Sequence, residues 1–84
     1  MPKYIDYHAK LPAMPPQVAQ QLASDMKAGK PNQFGVKPIN FLMGKDGSGY
    51  CLCEAPGPDA VVKTHAAMGI TMTGQDIKEV TTLV

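Results

Sequence analysis

The chain has 84 residues, 44% of them hydrophobic, and eight lysines stand against seven acids for a net charge of +1. That is room for one domain with a thin core, because a chain this short hides only about 60–65% of its unfolded surface. The balanced charge excludes nucleic-acid binding by bulk electrostatics, and with lysine as the sole cation no guanidinium fork can grip a phosphate bidentately.

In chain order, Lys3 to His8 reads as a short β-rich run closed by the breakers Pro12, Pro15 and Pro16. From Pro16 to Ala28 the period changes. Val18, Leu22 and Met26 recur every four residues, which predicts a helix with proline in its first turn and Gly29 capping its end. Lys30 to Gln33 is a loop. Phe34 to Met43 predicts a second strand, in which Ile39, Phe41 and Met43 alternate with Pro38, Asn40 and Leu42. Asp46-Gly47 supplies a hairpin turn into a third strand, Tyr50 to Ala55. The run Pro56-Gly57-Pro58-Asp59 ends that strand and opens a second helix, with an acid in the first turn to suit the helix dipole. This helix turns Ala60, Val61, Val62, His65 and Met68 to one side and stops at Gly69. After a polar bend at Thr73 to Asp76, a closing strand runs from Ile77 to Val84.

The order β-α-β-β-α-β in two half-repeats is the ferredoxin-like split βαβ pattern. It predicts one α+β domain over residues 1–84, a four-stranded antiparallel sheet, and both helices on one face. The first and third strands are expected side by side in the middle of the sheet and parallel to each other. The other face, bearing Tyr4, Leu42, Tyr50 and Leu52, is left bare, which predicts a homodimer. Met1-Pro2-Lys3-Tyr4 has no apolar region of a secretory signal, and no apolar run approaches a membrane span. Cys51 and Cys53 lie two apart in a strand, with Cβ atoms too distant for a disulfide, so free thiols and a soluble cytoplasmic protein are expected.

Only two histidines are present. His8 ends the first strand on the face of Tyr4 and Asp6, and Glu54 ends the third on the face of Tyr50 and Leu52. If those strands run parallel, His8 and Glu54 emerge at one sheet edge with Asp6 a step behind, either as a divalent-metal site or as a solvated, hydrogen-bonded strand end. His65 lies in the apolar stripe of the second helix, above Cys51 and Cys53. That set is either a soft ligand group for nickel, copper(I) or zinc, or ordinary core packing. In this arrangement the sheet separates the two sets, and the more accessible His8 is expected to contact an ion before Cys51 does. The methionines are scattered as core filler. No phosphate-binding loop, dinucleotide fingerprint or hydrolase constellation is present, so there is no strong enzyme signal.

The stretch Tyr50-Cys51-Leu52-Cys53-Glu54-Ala55-Pro56, followed by an acid and a helix carrying His65, closely resembles the core of the small bacterial nickel-binding, nickel-responsive proteins. The resemblance extends to the Met-Pro start, to Asp6-Tyr7-His8 and to Gly35-Val36. It implies a dimeric ferredoxin-like fold and a nickel ion held at the matching positions His8, Cys51, Glu54 and His65. Many members carry another histidine one turn after the position of His65, where this chain reads Ala67-Met68-Gly69-Ile70, and Gly57 is an insertion. The resulting reading is a cytoplasmic, homodimeric, non-enzymatic protein that binds a divalent ion, with no nucleic-acid or membrane partner. Its rival is a dimeric α+β barrel that binds or transforms a small organic molecule in a cavity lined by Tyr4, Tyr7, Tyr50 and His8, with His8 and Asp6 supplying acid–base chemistry.

Overall fold

The computed structural model describes residues 1–11 and 15–83. Pro12, Met14 and the terminal Val84 of the expected last strand lie outside the described residues. Strand β1 (Lys3–His8) leads to helix α1 (Pro16–Ala28), strands β2 (Lys37–Met43) and β3 (Gly49–Glu54), and helix α2 (Pro58–Ala67). A single 3-10 turn, Gly74–Asp76, then precedes strand β4 (Ile77–Val80). The order is the α+β, ferredoxin-like one expected.

Both helices end as their glycines predict. Gly29 and Gly69 take left-handed φ angles of 67° and 81°. Behind them the Lys30 N–H donates to the Asp25 carbonyl and the Ile70 N–H to the His65 carbonyl, while Gly29 and Gly69 donate to Met26 and Ala66. Each is a Schellman closure, which satisfies carbonyls that a helix end would otherwise leave orphaned. Strand β2 begins later than Phe34 for an equally local reason. The Asn32 side-chain oxygen accepts from the Phe34 and Val36 amides at 2.9 and 3.0 Å, and Gly35 sits at φ 81°, so this stretch is folded into a turn.

The sheet order is β2-β3-β1-β4, with every neighbouring pair antiparallel. This corrects the expected parallel pairing of the first and third strands. The crossover through α1 brings β2 back in the direction of β1, and the Asp46-Gly47 hairpin then reverses β3 against both. The register puts Lys3 opposite Glu54, Tyr4 opposite Cys53, Asp6 opposite Cys51 and His8 opposite Gly49. His8 and Glu54 are therefore at opposite ends of the strand pair.

A second correction concerns Tyr4. It belongs to the helix-covered face, where Tyr4, Val36, Cys53, Ala55 and Val61 form the core, with Phe34, Ala60 and Ile77 packed against them. The bare face carries Ile5, Tyr7, Leu42, Tyr50 and Leu52, among which Tyr7, Leu42 and Tyr50 are exposed. Val61 has no exposed surface. Val61→Ala should therefore cost about 2 kcal/mol, measured by urea unfolding; a loss under about 0.5 kcal/mol would mean the core closes over the gap.

Helix α1 behaves differently from α2. It touches the sheet chiefly along β2, and none of its residues is buried. Val18 of its apolar stripe is 52% exposed, and Leu22 and Met26 are only half-covered.

Candidate metal centre

The middle of β1 faces the middle of β3, so Asp6 stands directly across from Cys51 beneath the helices. His8, two residues on, shares the face of Asp6 because strand side chains alternate. His65 comes down from α2, where it is one of two buried residues of that helix. One ligand atom from each of Asp6, His8, Cys51 and His65 lies within 4.8 Å of the others.

The donor geometry is specific. His65 Nδ1 donates its proton to the Val61 carbonyl one turn back, at 2.8 Å. In the neutral ring that leaves Nε2 bare, with its lone pair 3.1 Å from Asp6 Oδ2. His8 Nε2 lies 2.5 Å from the same oxygen, and the two imidazoles stack with centroids 5.1 Å apart. Yet both Asp6 oxygens, His8 Nε2 and His65 Nε2 are shut off from solvent with no partner in hydrogen-bonding geometry. The only partners these atoms have are the close His8 and His65 contacts with Asp6 Oδ2, and all four converge on one point. A cation at that point would satisfy them together. Two imidazoles, a carboxylate and a thiol suit zinc, nickel or copper(II), and not the all-oxygen preference of magnesium or calcium. The residues present thus fit a transition-metal ion.

The same surroundings set the proton affinities. Burial pushes the Cys51 thiol far up, and the neighbouring Asp6 carboxylate adds to the effect. Burial followed by Asp6 pushes Cys53 up to about 11. For His65, burial alone would favour the neutral ring, but its contacts with Asp6 and with the Val61 carbonyl outweigh this and raise its pKa. An ion entering the site must displace the Cys51 proton and compete with protonation of His65.

Of the residues singled out in the sequence, His8, Cys51 and His65 are brought together. Glu54 is not among them: it sits at the far end of β3, partly exposed, with Lys3 Nζ 3.9 Å away. The expectation that the sheet separates His8 from Cys51 and His65 is corrected as well, since all three lie on the helix-covered side. Asp6, placed a step behind His8 in the sequence reading, is the group every other one touches. Its signal was the Asp-x-His spacing, which sets both side chains on one face of a strand. The four residues expected to line one cavity do not share a face, because Tyr7 and Tyr50 pair on the bare side, centroids 5.1 Å apart, while Tyr4 and His8 lie on the other. Cys51 and Cys53 are both free and buried.

Fold and site together define a small α+β domain with a buried mixed-donor cluster between its central strands and its second helix. No protein-family model and no curated protein matches the chain. Among solved structures it is similar to SCO4226 of Streptomyces coelicolor A3(2), with a TM-score of 0.66 over 98% of this chain and 99% of the other. Sequence identity between them is 22%, so the likeness is one of fold. Among the described residues no helix is long and apolar enough to cross a membrane.

Proposed function

We propose that this protein binds a divalent transition-metal ion through Asp6, His8, Cys51 and His65, and that the ion is nickel. The observation that carries the metal reading is the convergence of four buried polar atoms, none with a hydrogen-bond partner, beside a buried thiol. Nickel in particular, and membership of the nickel-binding family, rest on the resemblance of Asp6-Tyr7-His8, the Cys51 to Pro56 block and His65. The role proposed is sequestration or response. A thiol ligand needs a reducing compartment, which favours the cytoplasm.

Calorimetric titration with elemental analysis tests this reading. One equivalent of nickel per chain is expected, with Glu54→Ala binding like the parent. Failure to bind nickel, zinc, cobalt or copper(II) would overturn the metal reading, and tight zinc with no nickel would overturn the choice of ion.

The bare sheet face supports the second part of the proposal, a homodimer. Tyr7, Leu42 and Tyr50 are about half-exposed there, next to Ile5 and Leu52. Sedimentation at micromolar concentration should give twice the chain mass, and Tyr50→Lys should shift the population to monomer. A parent protein that sediments as a monomer refutes it.

A further inference from the structure

Helix α1 carries an apolar stripe in a domain with little core to spare, yet among the described residues that stripe is only partly covered, along β2. Across from it lie Phe41 of β2, Cys51 of β3 and Met68 after α2, and a gap remains between the two sides. The gap has two adjoining lobes of about 480 and 510 Å³, whose walls share Leu22, Asp25, Phe41, Cys51, His65 and Met68. Cavities of this size hold small organic ligands, which occupy clefts of roughly 300–1,000 Å³ with apolar walls and few polar groups. A helix face and a sheet face held apart forfeit both dispersion and burial, and an occupant would restore them.

We propose that this cleft beneath α1 binds a small, neutral, largely apolar organic molecule. Charge complementarity selects the occupant. Among the described lining residues outside the cluster the charged ones are Asp25 and Lys30, of which Asp25 already accepts from Gln21 at 3.0 Å and Lys30 is exposed. The walls at Leu22, Phe41, Met68 and Ile70 take no part in the cluster, so the proposal stands apart from the metal reading.

The test uses N-phenyl-1-naphthylamine, a neutral apolar fluorophore, titrated into the full chain with and without nickel. Saturable binding of one molecule per chain is expected in both states. Leu22→Arg should weaken it tenfold or more, whereas Leu42→Ser on the bare face should leave it unchanged. Absence of saturable binding, or loss in Leu42→Ser with Leu22→Arg unaffected, overturns the proposal. Should Leu22→Arg fail to fold, methyl NMR of the unsubstituted protein decides. Probe-induced shifts at Leu22, Met68 and Ile70 sustain the site; shifts confined to Ile5 and Leu42 overturn it.

Discussion

Nickel at a thousandfold excess over its dissociation constant should raise the midpoint of thermal unfolding by roughly 15–30 °C. An ion that binds only the folded chain at that excess contributes about 4 kcal/mol, and each kcal/mol shifts the midpoint of a domain this size by about 4–8 °C. Asp6→Asn and Cys51→Ser should each remove most of that rise. Even changes outside the ligand set cost metal sites about 10–100-fold in affinity, so loss of a ligand should exceed ~100-fold, or about 2.7 kcal/mol. Glu54→Ala should retain the full rise, because its carboxylate lies at the far end of β3 beside Lys3. Scanning calorimetry with nickel and with chelator reads all of these. A rise that survives both Asp6→Asn and Cys51→Ser would put the ion outside this cluster.

Metal-free and metal-loaded protein should also respond to pH in opposite directions. The folded chain raises the pKa of His65, which is faced by Asp6, His8 and Cys51, so the stability it contributes is complete below its unfolded value of about 6.5. That contribution is lost as pH rises through the raised folded value. The thiols act in the same sense: in the unfolded chain they ionise near pH ~8.5, while in the fold Cys53 keeps its proton up to about 11 and Cys51 holds its own still more firmly. Metal-free protein should therefore lose stability steadily from pH 6 to 9. Metal affinity should climb over the same range, because the ion competes with the protons on Cys51 and His65. Melting curves at fixed nickel should show a thermal shift that widens with pH. A metal-free protein more stable at pH 9 than at pH 6 would contradict the pKa directions on which this rests.

Helix limits and turns were legible in the sequence because their causes are local: Pro16 and Gly29 bound α1 as expected, and Asp46-Gly47 makes the hairpin. The direction of β3 against β1 follows from connection order, not from any residue, and mistaking it moved Glu54 to the wrong end of the sheet. The facing of β1 was hidden for a different reason. Its alternate residues are Lys3, Ile5 and Tyr7 on one side and Tyr4, Asp6 and His8 on the other, so the apolar stripe points away from the helices. A buried site inverts the ordinary hydrophobic alternation, and the strand that carries the chemistry is the one whose pattern misleads. Asp6 was visible as a neighbour of His8; its central place required knowing that Cys51 lies across from it and His65 above.

The margins of the sheet have a consequence for how chains can meet. At one margin β2 breaks register between Pro38 and Asn40, and Pro38 has no N–H to offer another strand. At the other, β4 is only four residues long and places the charged Lys78 and Glu79 in its centre. Irregularity at one rim and brevity with charge at the other are the devices by which sheet proteins resist endless strand-by-strand growth. Open-ended stacking is thereby discouraged in the plane of the sheet. Were copies to meet through the bare side bearing Tyr7 and Tyr50, a face meeting its own image would be used up after one partner, so that association would close on itself at a pair.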